Sequence, residues 1–394
     1  MLKIGINCLE FTKEEVGGVY SYTFGLLNAF HENKELNHTF CLFIRPEARN
    51  LFSSFTDDAR FQFFSVPGSL NKRRILWFLS QQGNAGLYRR VRNFLYQKET
   101  DLMNAHADII YTPTTLLFSY NGKKPSVLSM HDIQHDHYPE FFSAQELRWR
   151  QIVYPLSARY ATVLQASSEY IRDDFRSHFH NLSASSISII PEGVDIAFFQ
   201  KQRKQEDLLT KYGLPANFLL YPAQLWLHKN HLLLLKALLL LKEEGVTIPL
   251  VLTGAKYGAG QPVLDFISSH SLNTVFHLGK IPFDDLAGLY QKARFLVMPS
   301  LHESNSLPIL EAAAAGTPIL ASDIAPNMEL GKCLALNIFD RNNPASLAAL
   351  IRKVWDDTRL RNVQREHNLQ NIPLYSWHNT AEQYIRLFES AARH

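Results

Sequence analysis

Residues 295–322 read FLVMPSLHESNSLPILEAAAAGTPILAS. FLVMPS is a continuous apolar run of strand length and LHESNS is a polar loop. LPILEAAAA has the composition of a buried helix, closed by Gly316 and Pro318, and TPILAS starts a second apolar run. Strand, loop, helix, strand is one parallel crossover, and its strands do not alternate because helices cover both of their faces. Ser304, Asn305 and Ser306 suit the helix N-cap, and Pro308 suits the first turn, where a missing N–H costs nothing. The amides of Ser306 and Leu307 would then be left for an anion, aided by the positive end of the helix dipole. Glu303 stands just ahead of this mouth and Glu311 lies two turns inside it.

The same pattern runs outward in both directions. LKIGIN, TFCLFI, FQFFSV, ADIIYT, PSVLSMHD, TVLQAS and SISIIP read as strands in the first half, and FLLYPA, PLVLTG and TVFHLG join the opening pair in the second. Amphipathic segments such as EYIRDDFRSHF, HLLLLKALLLLKEEG and FDDLAGLYQKAR lie between them. A charged connector with no strand pattern covers about residues 196–217. The expected fold is α/β: two doubly wound, Rossmann-like domains facing a central cleft, with ligands beyond the carboxyl ends of the strands. The expected boundaries are 1–197, 217–375 and a terminal helical segment, 376–394. At 394 residues the chain is also longer than one core usually grows.

Composition narrows the function. With 46% hydrophobic and 20% charged residues the chain has ample core material, and a net charge of +3 does not point to nucleic acid. Cys8, Cys41 and Cys333 fit no metal spacing and suit a reducing compartment. The N-terminus enters a strand pattern at once, so no signal peptide is expected. The most apolar stretch, HLLLLKALLLLKEEG, is too short to span a bilayer and carries Lys236. A cytoplasmic protein, at most peripheral to the membrane, is the expectation. No G-x-G-x-x-G follows the first strand and no Walker loop occurs; Gly254, Gly258 and Gly260 have the wrong spacing for a dinucleotide. Hydride transfer and ATP hydrolysis are thereby disfavoured. Two carboxylates beside an anion site instead suit a ligand with hydroxyls at both ends of a diphosphate, which is the shape of a nucleotide sugar.

On these residues the chain resembles the retaining glycosyltransferases of family 4, which have the GT-B fold. The match is Glu303–x7–Glu311 with the tail EAAAAGTPILASD. It is joined by GGVYSY near Gly17 and Gly18, MHDIQHD around His131, IIPEGVD, HKNHLLLLKAL with Lys229, and the C-terminal YSWHNTAEQYIRLFESA. The resemblance implies that Glu303 binds donor-sugar hydroxyls and Glu311 the ribose hydroxyls. It places Lys229, Gly17, Gly18 and the 305–307 turn at the diphosphate, and His131 on the sugar. It further implies a same-face, retaining transfer of a hexose-type sugar from a UDP- or GDP-sugar to a glycan or lipid-linked acceptor in cell-surface polysaccharide synthesis. With no Asp-x-Asp pair, neither a metal nor another cofactor is expected. An Arg is usual five residues before the Lys, but here the position is Gln224, and a neutral amide lacks the guanidinium fork. Glu192 stands where Asn is common. Rival readings are a GT-B epimerase or phosphorylase, or a nucleotide-sugar-binding protein without turnover.

Blander readings stand beside the sharp ones. An isolated Glu pair is usually a solvated helix terminus, Lys229 could be a surface lysine, and Gly17 and Gly18 could be a plain turn. The cluster His131, Asp132, His135, Asp136 and His137 tempts towards a metal, but structural histidines are commoner. Residues 71–98 contain Lys72, Arg73, Arg74, Arg89, Arg90, Arg92 and Lys98, interleaved with aromatics and without an acid. That composition suits an anionic membrane surface or a lipid-linked acceptor, and equally a solvated helical face. Nucleic acid fits less well, because the rest of the chain is balanced in charge.

Overall fold

The computed structural model describes all residues except 12–16, 69, 118, 122, 181–185, 203–204 and 394, so part of the connector lies outside the described residues. The chain forms two units. The first comprises Met1–Gly193 with Trp377–His394, and the second Val194–Ser376.

Among the described residues the first unit holds a seven-stranded parallel sheet in the order β3-β2-β1-β4-β5-β6-β7. Its strands are β1 (Lys3–Asn7), β2 (Thr39–Ile44), β3 (Phe61–Ser65), β4 (Ile109–Thr112), β5 (Ser126–Ser129), β6 (Val163–Ala166) and β7 (Ile187–Ile189). The central strands are buried along their length, which is why they read as unbroken apolar runs. One face of the sheet is covered by the helices Gly18–Glu32 and Trp377–Ala391, whose Leu26, Phe30, Tyr384 and Phe388 share a core with Ile4, Ile6 and Tyr111.

The second unit's sheet runs β10-β9-β8-β11-β12-β13. Its strands are β8 (Leu219–Pro222), β9 (Leu250–Thr253), β10 (Val275–His277), β11 (Phe295–Met298), β12 (Ile319–Ser322) and β13 (Asn337–Phe339). The strand pattern in the sequence does not show β13. It is a three-residue edge strand whose apolar residues Ile338 and Phe339 stand between Asn337 and Asp340, and so it leaves no apolar run. The connector packs as part of this unit. Its Phe198 stacks on Phe283, Phe199 meets Phe283 and Tyr290 edge-on, and Val194 donates its amide to Tyr375 O (2.8 Å).

In both units the strand order reverses at the centre, between β1 and β4 and between β8 and β11. A doubly wound sheet opens there for a ligand. Cys8, Cys41 and Cys333 are free thiols, the first two buried. No helix among the described residues is long and apolar enough to cross a membrane.

Candidate active site

The carboxyl ends of β8 and β11, at the second unit's reversal point, carry Lys229 and Glu303. Main-chain bonds bring their two loops together. His228 O accepts from Leu301 N (2.8 Å), and Tyr221, on β8, donates its hydroxyl to Lys229 O (2.7 Å). Asn230 adopts a left-handed conformation (φ 54°), and its Nδ2 donates to Pro299 O and Arg341 O, both at 3.1 Å. A residue other than glycine holds that conformation here because its side chain is tied at two points. The result is a close ion pair: Lys229 Nζ lies 2.7 Å from Oε1 and 2.9 Å from Oε2 of Glu303. The side chains are 17% and 8% exposed, so the pair is shielded from solvent yet open at one edge. His231 is buried against the Tyr221 ring. Its pKa is lowered to about 3 by burial and then by the neighbouring Lys229 charge, so it adds no cation.

The helix Leu307–Ala315 begins beside Glu303 and ends at Gly316 with φ 72°. Ser306 is its N-cap, but the hydroxyl does not cap. It donates to Asn327 Oδ1 (2.6 Å), and Asn327 Nδ2 in turn reaches Ser322 O on β12 (2.9 Å). The Leu307 amide is not left for a ligand as the sequence suggested. The turn folds back and Leu307 N donates to Asn305 O (3.1 Å), because a tight turn into Pro308 brings that carbonyl within reach. Inside the helix, Glu311 Oε2 accepts from the Tyr290 hydroxyl (2.7 Å). Burial raises the Glu311 pKa to about 7, against the opposing effect of that bond, so near neutrality this carboxyl takes up or releases a proton.

Gln224 stands apart from this ion pair. Its Oε1 accepts from the Trp226 indole (2.9 Å), and Trp226 lies flat on Tyr257 (4.2 Å, 5°), both rings exposed. The side chain at this position thus holds an aromatic ring.

In the first unit, Gly17 precedes the helix Gly18–Glu32 with φ 156°, and no described atom lies within 4 Å of where a Cβ would stand on Gly17 or Gly18. His131 follows β5. Its Nε2 donates to Pro113 O (3.0 Å), its Nδ1 faces Glu192 Oε1 (3.7 Å), and the Tyr22 ring meets it edge-on (5.1 Å). Burial lowers the pKa of this imidazole, but Glu192, the Pro113 carbonyl and Asp132 outweigh that effect and the net shift is upward. The neighbouring histidines are occupied elsewhere: His137 bonds Asp174 (2.8 Å), and His135 is buried against Tyr154. Among the described residues no group of three or more His, Cys, Asp or Glu is arranged to hold a metal ion.

The sequence reading missed Tyr290, Asn230 and Asn327 and gave Glu192 little weight. All four act on partners distant in the chain. Only Glu192 left a trace, as an acid where an amide is common.

In the segment 71–98, Lys72 pairs with Glu99 (2.6 Å) and Arg73 with Glu10 (2.9 Å), and Arg92 is buried against Tyr160 while donating to Leu117 O. Arg74, Arg90 and Lys98 are exposed, as are Ile75, Trp77, Phe78, Leu87 and Phe94.

Comparisons place this geometry among known proteins. Residues 16–198 match Glycosyltransferase Family 4 and residues 204–370 match Glycosyl transferases group 1. The chain is 25% identical over 323 residues to O-antigen chain mannosyltransferase B of Escherichia coli, covering 81% of this chain and 84% of that protein. It is 28% identical to D-inositol 3-phosphate glycosyltransferase of Corynebacterium urealyticum, spanning 52% of this chain and about half (51%) of that one. Among solved structures, Anabaena Alr3699/HepE in complex with UDP and glucose superposes with a TM-score of 0.72 at 19% identity, covering 99% and 100% of the two chains. WaaG, a glycosyltransferase involved in lipopolysaccharide biosynthesis, superposes at 0.66 with 16% identity, covering 98% and 99%.

Proposed function

This chain belongs to glycosyltransferase family 4 and has the GT-B fold, and we propose that it is a retaining hexosyltransferase. The donor is a nucleoside-diphosphate sugar, and the acceptor is a glycan or lipid-linked sugar of a cell-surface polysaccharide. The mannosyltransferase relatives make mannose the first hexose to test, and the UDP and glucose held by Alr3699/HepE make UDP-glucose the second.

The observation that carries this reading is the Lys229–Glu303 pair at the reversal point of the second sheet. Without a ligand the two charges satisfy each other. An arriving diphosphate competes for the ammonium, whose three N–H donors it can share. Glu303 is then free to accept from hydroxyls of the sugar. Glu311, in its ionised form, accepts from the ribose diol, and the Ser306 turn with Gly17 and Gly18 supplies main-chain donors to the phosphates. His131 contacts the sugar. In the transfer step the bond from C1 to the diphosphate oxygen breaks, and the acceptor oxygen bonds C1 on the same face. The acceptor proton passes to the departing phosphate, whose growing charge Lys229 stabilises. Lys229 is the counter-charge in this scheme, so the reaction is proposed to run without a divalent metal. We assign acceptor choice to the first unit and donor binding to the second. The exposed apolar and basic side chains of 74–98 are proposed to rest on an anionic membrane at the inner face.

The test is transfer from labelled GDP-mannose and UDP-glucose to lipid-linked acceptors, with and without chelator. A product of retained anomeric configuration that is lost in Glu303→Ala is expected. An isomerised sugar nucleotide formed without acceptor would overturn the reading. Co-sedimentation with anionic vesicles, weakened in R74E/R90E, tests the membrane contact separately.

A further inference from the structure

Glu192, in the Glu-Gly-Val-Asp turn after β7, is 4% exposed. A carboxylate so enclosed requires a cation or strong donors beside it. The ion-pair partner that the structure gives it is His131 Nδ1, 3.7 Å away. The ring's other nitrogen lies 3.0 Å from Pro113 O, which can only accept, so Nε2 carries a proton. A ring protonated at both nitrogens satisfies the carbonyl on one side and the carboxylate on the other. An Asn at position 192 could accept from Nδ1–H but could not hold the charge.

We propose that Glu192 is a positioning residue for sugar transfer, fixing His131 as an imidazolium between Pro113 and itself so that a cation stands after β5. This rests on the placing of His131 at the donor sugar proposed above. The charge serves the step in which the diphosphate departs, because a fixed positive group near developing negative charge lowers that barrier. Every element packed on the ring bears on its charge. Asp132, on its own loop, favours it. From the helix Gly18–Glu32, Tyr22 presents a ring edge, and that hydroxyl is taken up by Tyr111, Ser129 and Tyr384. Burial opposes the charge, and Glu192 is the foremost group favouring it.

The variants Glu192→Gln and Glu192→Asn test this, with kcat/KM measured from pH 6 to 9. The active form is the protonated ring, so activity declines as pH rises through the His131 pKa. Removing Glu192 lowers that pKa and brings the decline to lower pH. At pH 8 the Gln variant should lose about tenfold against the wild type, and at pH 6 less than about twofold. NMR of histidine-labelled protein should show the His131 ring titrating at lower pH in the variant. A loss equal at all pH values, with unchanged titration, would mean a merely structural role and overturn the inference. His131→Ala separates the two layers. Full transfer by that variant would overturn both this inference and the reading beneath it. An inactive His131→Ala beside a Glu192→Gln profile superimposable on the wild type would overturn the inference alone.

Discussion

Around β8 and β11 of the second unit, the loops that follow the strands are joined by main-chain bonds, and between them sits one ion pair, Lys229 with Glu303. Around β4 and β5 of the first unit, the joining groups are neutral hydroxyls. Tyr22 reaches Tyr111 and Ser129, both at 3.0 Å, and Tyr384 of the helix Trp377–Ala391 bonds Ser129 at 2.9 Å. The strand order is shared but the consequences differ. A partly open ion pair can exchange its partner when another anion arrives, because the ammonium loses one counter-ion and gains another. A buried set of hydroxyls has nothing to exchange with and simply fixes the elements that meet there. The Lys229–Glu303 pair is thus built to respond to charge, and the hydroxyl cluster to hold the elements that it joins.

The sharpest way to break this contrast is at the ion pair. Glu303→Gln and Lys229→Met should each lower transfer by about 10³-fold, since each removes a charge that the proposed transfer step uses. A loss below tenfold in a steady-state assay would show that the pair is a structural clasp and remove the distinction. Next comes the rigidity of the first unit. A Cβ added at Gly25 would lie 2.2 Å from the Trp377 ring, so Gly25→Ala should cost about 2 kcal/mol in urea unfolding. An unchanged midpoint would mean that Trp377 moves aside easily.

Third in size is the proton on Glu311. Its folded pKa of about 7 lies above the ordinary carboxylate range, and the ionised form is the stronger acceptor for the ribose diol proposed to bind there. Nucleotide affinity should therefore rise about tenfold between pH 6 and pH 8, and calorimetry on Glu311→Gln should show that dependence lost. Tyr290→Phe removes the bond that lowers this pKa and should move the rise to higher pH. The smallest effect belongs to the hydroxyl network. Tyr384→Phe removes one member and should cost about 1 kcal/mol of stability while leaving transfer intact. A large loss of transfer would show that the network is part of the chemistry after all.

What the sequence revealed follows the same physical division. Strands with long apolar runs announce themselves, so FLVMPS and ADIIYT could be read directly, whereas β13, whose Ile338 and Phe339 stand between Asn337 and Asp340, could not. The two glutamates were legible because their spacing is local, along one loop and one helix. Their pairings were not: Lys229, itself read as a site residue, is 74 residues from Glu303 and Tyr290 is 21 from Glu311, and no local pattern records a pairing over such a separation. The free amide expected at Leu307 failed for a related reason, since a helix mouth predicts open donors and only the turn geometry decides whether a carbonyl folds back onto one. Gln224 was noticed as a missing Arg, but its attachment to Trp226 appears only in three dimensions.

The path of the chain has a further consequence. Val194 and Ser376, the two ends of the second unit, pair in a parallel bridge, and Gly193 and Trp377 touch so closely that a Cβ on the glycine would lie 2.6 Å from Trp377 Cα. Departure and return are side by side. A module tethered in this way can be lengthened, exchanged for a homologue or excised as one continuous polypeptide, and the gap left behind could be closed by joining two residues that are already neighbours. If the second unit binds the donor, as proposed, residues 194–376 are therefore the natural unit to swap between relatives to alter which sugar is delivered.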